Sequence, residues 1–203
     1  LNQTVWDRIE EARSRWNVLE HPFYARWSAG ELTAEELARY SGQYRHAVQA
    51  IAAVSDYVAG ELPGRSELAS HAREEAEHVA LWDGFVDAVD GDREAEPTAE
   101  TAACTATWTR HDGAVPALAR LYAIESGQPE ISKTKLAGLA EHYGVPAGRG
   151  TDYFTVHRGR DVEHAAEGRE LLAELLDPAS EDEAVTAAEA AFEANWKLLD
   201  GVA

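Results

Sequence analysis

Residues 153–171 read "YFTVHRGRDVEHAAEGREL", and three side chains in this stretch carry free electron pairs: His157, Asp161 and His164. At about 100° per residue they fall at roughly 0°, 40° and −20° on a helical wheel. All three therefore share one face across two turns, provided the stretch is a helix. Ala, Glu, Leu and Arg fill it at helical rather than alternating periodicity, which predicts a helix from about 150 to 176.

The rest of the chain reads the same way, with no convincing strand. A first helix is expected over about 4–18, broken at "LEHPFY" by Pro22. Thr33 and Glu36 form a capping-box pattern that opens a helix running to Gly60. "LPGR" at 62–65 is a turn, a helix follows over about 66–89, and "VDGDREAEP" is a polar loop. Helices are expected near 98–112 and 114–127, with "SGQPEIS" as a break before a short helix over 132–143. After the 150–176 helix, Pro178 and a second capping-box pattern, Ser180 with Glu183, open the last one. With no repeat or linker, residues 1–203 are expected to form a single all-α domain, a bundle of seven or eight helices.

Composition narrows the function. The chain has 37 acidic against 18 basic side chains, a formal charge of −19. Such a surface repels phosphate backbones and anionic membranes, so neither nucleic acid nor membrane is expected as a partner. No apolar run reaches the roughly 18 residues a membrane helix requires. "LNQTVWDRIEEARSRW" resembles neither a signal nor a transit peptide. The single cysteine, Cys104, cannot form an internal disulfide, which points to a reducing cytoplasm. The absence of methionine, even at position 1, suggests a reading frame that begins upstream.

A second ligand-type pair lies in "HAREEAEHVALW", where Glu75 and His78 stand three apart on one face. A carboxylate and an imidazole at that spacing can reach one metal ion from adjacent turns. Glu125, in "LYAIESGQPE", follows the apolar stripe Leu118, Leu121 and Tyr122. If it shares that face, it points inward, where an unpaired carboxylate is costly and a cation would offset the cost. Taken singly, E-x-x-H or D-x-x-H is more simply a solvated polar pair in so acidic a chain. The set Glu75, His78, Glu125, His157, Asp161 and His164 favours a metal. Mixed nitrogen and oxygen donors without thiolate suit iron or manganese, and open positions on such an ion could bind dioxygen.

These segments, in this order, resemble the haem-oxygenase-like di-iron oxidases and oxygenases. "HPFYARWSAGELTAEELARYSGQYRHAV" is similar to the family's N-terminal helices, "EEAEHVALWDGFVDAV" to its first ligand helix, "YAIESGQPEISKTKLAGLAEHYG" to its central glutamate segment and "HRGRDVEHA" to its H-x3-D-x2-H. The resemblance implies a seven-helix bundle related to haem oxygenase, thiaminase II and PqqC, without haem. It implies two Fe(II) ions, with O2 as co-substrate, held by His78, Glu125, His157, Asp161, His164 and a further carboxylate. That carboxylate is Glu75, three residues before His78, with Glu74 as the fallback; members that place it seven residues before that histidine would have it at the position of His71. The resemblance also makes Glu125 the bridging residue and central to catalysis, and a homodimer the expected assembly.

Family members oxidise amino acids, other amines or fatty acids by N-oxygenation, desaturation or C–C cleavage. One subgroup makes para-aminobenzoate from its own tyrosine and lysine, and Tyr24 and Lys135 sit in similar settings here. Tyr44 and His46 are further candidates for a small-molecule pocket. In the metal-free thiaminase-like branch the nucleophilic cysteine is expected on the helix that here carries Glu125, a helix later than Cys104. Iron storage would call for two E-x-x-H helices, and His157 is surplus to that pattern. His21 and His111 are expected at caps or on the surface, and the six tryptophans in the core. Converging carboxylates, together with Gly159 and Gly168, are expected to loosen residues 155–168 when no metal is bound.

Overall fold

In the computed structural model, which describes residues 3–202, the chain forms eight α-helices and no strand among the described residues. They are α1 (Val5–Arg15), α2 (Pro22–Ala29), α3 (Ala34–Glu61), α4 (Ser66–Ala88), α5 (Ala99–Trp108), α6 (Ala114–Glu141), α7 (Asp152–Leu175) and α8 (Glu181–Asp200). A 3₁₀ turn, Val18–Glu20, lies between α1 and α2. No helix among the described residues is long and apolar enough to cross a membrane.

A few helix pairings set the site. α6 lies against α7 and α8, while α3 lies against α4 and α4 against α7. The core between them is aromatic. Trp27, Trp82 and Trp108 are fully buried, as are Phe23, Tyr40 and Tyr153. Burying each large ring removes roughly 150–250 Å² from water, and this is the main source of the bundle's cohesion.

Local signals explain most boundaries. The expected capping box is present at α3, where Glu36 N donates to Thr33 Oγ1 at 3.2 Å and Thr33 N to Glu36 Oε2 at 2.8 Å. Pro22 does more than break the first helix. It occupies the first position of α2, where its missing N–H costs nothing, and His21 Nδ1 caps the helix by accepting from Phe23 N at 3.0 Å. At α8 the expected Ser180 box is not formed. Ser180 is itself in the right-handed helical region, and its Oγ bonds Asp177 instead.

The main departure is α6. The break expected at "SGQPEIS" is absent, and one helix of 28 residues passes through Gly127 and Pro129. A proline inside a helix costs about 3 kcal/mol, partly because it removes the bond to the carbonyl four residues back, here that of Glu125. Burial of Gln128, Ile131, Ser132, Lys135, Gly138 and Leu139 along one face outweighs that cost. Likewise α7 is unbroken through 155–168. Its buried face, from Tyr153 through His157, Asp161 and His164 to Leu172, holds the helix against its neighbours.

Gly138 lets α6 approach α2, since a Cβ there would collide with the Trp27 indole nitrogen. Gly138→Ala is therefore expected to lose about 1–3 kcal/mol of stability despite alanine's better helix propensity. Urea denaturation measures this; unchanged or increased stability would show that the contact is not tight.

Candidate metal centre

Helix α4 supplies His71, Glu75 and His78, with the same spacing, H-x3-E-x2-H, as His157, Asp161 and His164 on α7. Both triplets subtend the same narrow arc of a helical wheel. α4 packs against α7, so the two triplets face one another, and α6 adds Glu125. All seven side chains are buried, with relative exposures of 9% or less.

Two groups of donor atoms form, each lying within 4.8 Å of one another: His71, Glu75, Glu125 and His164, and then Glu75, His78 and His157. Glu75 is common to both. Its Oε1 lies 3.0 Å from His78 Nδ1, 3.7 Å from His71 Nε2 and 4.0 Å from His164 Nδ1, while Oε2 lies 3.8 Å from His157 Nε2. Glu125 Oε1 is 2.7 Å from His71 Nε2. Asp161 Oδ1 is 3.7 Å from His164 Nδ1.

These contacts lack hydrogen-bond geometry. His71 Nε2, Glu75 Oε1, His78 Nδ1, Glu125 Oε1, His157 Nε2, His164 Nδ1 and both Asp161 oxygens are buried without a hydrogen-bond partner. Buried polar atoms are normally paired, and each one left unpaired costs about 1–3 kcal/mol. Seven such residues converging on one volume fit a cation that accepts their lone pairs. The donor set, four imidazoles and three carboxylates with no thiolate, suits iron or manganese.

The surroundings orient the donors. His157 Nδ1 lies 2.7 Å from the Tyr153 carbonyl, which favours a proton there and leaves Nε2 as the free donor facing Glu75. Glu74 does not enter the cluster. Arg160 grips it through two contacts of 2.9 Å, and it lies 3.6 Å from His164 Nε2, on the side away from Glu75. Of the two glutamates, Glu75 is the one turned inward.

Electrostatics shows what the cluster lacks. Burial pushes the Glu75 pKa up, but His157 and His78 outweigh it and hold the carboxyl low. Burial raises Glu125, and the contact with His71 only partly offsets it. Burial would lower His71, yet Glu125 and Glu75 bring it up to about 9. The Glu125–His71 pair thus has a raised affinity for a proton, the positive charge that a bound cation would supply instead.

The pocket candidates divide. Lys135 is 1% exposed, and its Nζ lies 4.6 Å from the Tyr44 ring centroid, 5.1 Å from Tyr40 and 5.9 Å from Tyr24. Trp82 and Phe154 enclose it at 5.3 and 5.2 Å. Burial holds the Lys135 pKa well below the ordinary lysine value. This box adjoins the donor cluster, because Trp82 packs on Tyr153 at 4.9 Å and Tyr153 stacks on His157 at 3.8 Å. His46 does not join it. About 200° from Tyr44 on α3, it lies on another face and contacts the Ala95 carbonyl of the loop after α4 at 2.8 Å. Cys104 is buried, and burial pushes its thiol up, away from the thiolate a nucleophile needs.

The sequence marks His71 only as a position where some members carry a carboxylate, and does not make the imidazole itself a ligand. The signal is present, because "HAREEAEH" repeats the spacing of "HRGRDVEH" with glutamate for aspartate.

Comparison with known proteins identifies the family and the fold. Residues 38–196 match a family described as iron-containing redox enzyme. A 4-aminobenzoate synthase from Chlamydia muridarum is 31% identical over 98% of this chain and 90% of its own length. Among solved structures, a domain with a heme oxygenase-like fold from Shewanella denitrificans superposes with TM-score 0.78 at 20% identity, over 100% of this chain and 93% of that one. A TenA homologue from P. horikoshii superposes with TM-score 0.80 at 15% identity, over 98% of both chains. The fold is therefore the haem-oxygenase-like bundle.

A cation in the cluster should stabilise the fold, by about 2.7 kcal/mol when its concentration is 100 times the dissociation constant. Asp161→Asn keeps the shape but removes one unpartnered charge. It is expected to raise the stability of chelator-treated protein by about 1–3 kcal/mol and to shrink the gain from added Fe(II). Thermal unfolding of both proteins, with and without metal, checks both shifts. A variant less stable without metal would mean that Asp161 is already satisfied.

Proposed function

This chain belongs to the iron-containing redox enzyme family, and we propose that it is an O2-dependent enzyme with two iron ions that makes 4-aminobenzoate from its own Tyr24 and Lys135. His71, Glu125 and His164 would hold one ion, with Asp161 beside His164, and His78 and His157 would hold the other. Glu75 would be shared between them, a role that the resemblance alone gave to Glu125. Iron bound there would supply the activation of dioxygen needed to oxidise a neighbouring organic group.

The product's skeleton supports a tyrosine source. 4-Aminobenzoate is a benzene ring with nitrogen para to a single carbon, and a tyrosine side chain is a benzene ring with oxygen para to its Cβ. Converting one into the other replaces the phenol oxygen by nitrogen, breaks the Cα–Cβ bond and oxidises Cβ to a carboxylate. Dioxygen and an external reductant balance the oxidation. The nitrogen leaves Lys135 as its Nζ–Cε bond breaks and Cε is oxidised to an aldehyde, while the phenol oxygen departs as water and the tyrosine Cα takes a hydrogen in place of Cβ.

The observation that carries this reading is the buried amine of Lys135 among three phenol rings. Burial holds the Lys135 pKa well below the ordinary lysine value, which favours the neutral amine and its lone pair. A charged lysine held only by ring faces would explain the packing without any chemistry. It would leave the likeness to 4-aminobenzoate synthase without a role, since that relative's name specifies a product with one ring and one amine. Tyr24 is chosen because its sequence setting matches the tyrosine-and-lysine subgroup, although Tyr44 lies nearer Lys135.

Protein grown with ring-labelled tyrosine, loaded with Fe(II) and exposed to O2 and a reductant, is expected to release labelled 4-aminobenzoate, no more than one molecule per chain. Tyr24→Phe and Lys135→Arg should each abolish it. If Tyr24→Phe still yields product and Tyr44→Phe does not, Tyr44 is the ring consumed. Repeated turnover of an added substrate by a chain with Tyr24 intact would replace self-consumption with oxidation of an external molecule.

A further inference from the structure

The donor cluster meets a surface cleft on one side. The cleft has a volume of about 220 Å³, and His71, Glu125 and His164 form its floor. Leu118, Leu121 and Leu171 give it apolar walls. Its mouth is acidic: Glu67, Glu167, Glu170 and Glu174 all line it, and all four are exposed. Arg65 is the one arginine or lysine in the lining, and it is already engaged, 2.5 Å from Glu174 and 4.0 Å from Glu67. Four carboxylates against one guanidinium leave three negative charges around the opening.

Exposed acids are common on a chain of charge −19, and by themselves they mark no site. What distinguishes these is the floor beneath them. Glu125 Oε1 and His164 Nδ1 have no hydrogen-bond partner, and both side chains are at least 96% buried. An opening with a negative rim that leads to unpartnered metal-type donors is arranged for one kind of visitor.

We propose that this cleft is the loading route for the divalent cation, and that Glu67, Glu167 and Glu170 form a transient capture site at its mouth. The proposal rests on the two-ion reading above. A hydrated divalent ion is attracted by the rim, and the apolar walls focus that field by excluding polarisable water. The rim offers only carboxylate oxygens, which hold a hydrated cation weakly enough to release it. The floor offers imidazole nitrogens as well, and these bind iron-type ions more tightly. Donors thus strengthen with depth, which favours net transfer inward. The same rim repels organic anions, so a carboxylate substrate would meet an opposing field there.

The test compares two triple variants with equal change in net charge. Glu67→Gln/Glu167→Gln/Glu170→Gln neutralises the rim and leaves the Arg65–Glu174 pair. Glu35→Gln/Glu94→Gln/Glu141→Gln neutralises three exposed carboxylates that do not line the cleft. Chelator-treated protein is mixed anaerobically with Co(II), and its visible absorption gives both the rate and the final stoichiometry of uptake. Fluorescence from the buried tryptophans gives an independent rate.

At low salt the rim variant should load about tenfold more slowly than the unaltered chain, reaching the same stoichiometry. The control variant should load at close to the original rate. The difference should close near 1 M salt, where screening acts over about 3 Å. Equal rates for the two variants, with two ions bound, would overturn the loading route and leave the two-ion reading intact. Failure of all three folded proteins to take up metal would overturn both.

Discussion

The carboxylate of Glu75, buried where α4 and α7 meet beneath Glu125 of α6, is the constraint on which the rest of the structure depends. A lone buried carboxylate would be neutralised by taking up a proton or expelled to water. Here it is held ionised by His157 and His78, and two further acids are buried beside it. Such a concentration of unpartnered donors survives folding only if much apolar burial offsets it. The layer of Trp82, Tyr153, Phe154 and Phe85 against the cluster meets that requirement, with ring centroids 4.9–5.6 Å apart.

Rigid helices are the other half of that arrangement. Donors on a helix keep their mutual angles because every turn is tied to the next. Pro129 and Gly127 closely follow Glu125, yet α6 continues through them. The proline leaves the Glu125 carbonyl without its helical partner at the residue whose side chain enters the cluster. Elsewhere such a sequence would end a helix. Here the buried face that includes Gln128 and Lys135 holds it, so one continuous helix carries both a metal-type donor and the buried amine, ten residues apart.

Periodicity alone makes the α7 triplet legible, because helical angle follows directly from spacing. The inward turn of Glu125 is legible too, from the apolar stripe ahead of it. The continuity of α6 is not, since local propensity at "SGQPEIS" opposes a helix and only contacts distant in sequence reverse it. His71 is hidden differently. Its neighbours Glu75 and His78 already form a complete ligand pair, and the matching of α4 to α7 emerges only when the two helices are laid face to face. His46 shows the converse: it stands two residues from Tyr44 in the chain, and on a helix that spacing means nearly opposite faces.

The cluster stands between two unlike neighbours, and the contrast bears on what it acts upon. Toward solvent lies a cleft rimmed by carboxylates, open to cations and small neutral molecules. Toward the interior lie Tyr153 and Trp82 and, beyond them, the rings around Lys135. An oxidising centre in contact with a buried aromatic layer endangers that layer unless its chemistry is directed elsewhere. In enzymes that turn over many times, a substrate cavity gives it that direction. Here the inner side is filled by phenols and an amine of the chain itself, and burial lowers the pKa of that amine. With iron in the cluster as proposed, an interior built in this way would suit a single use, since the groups most exposed to oxidation would also be the ones from which the product is assembled.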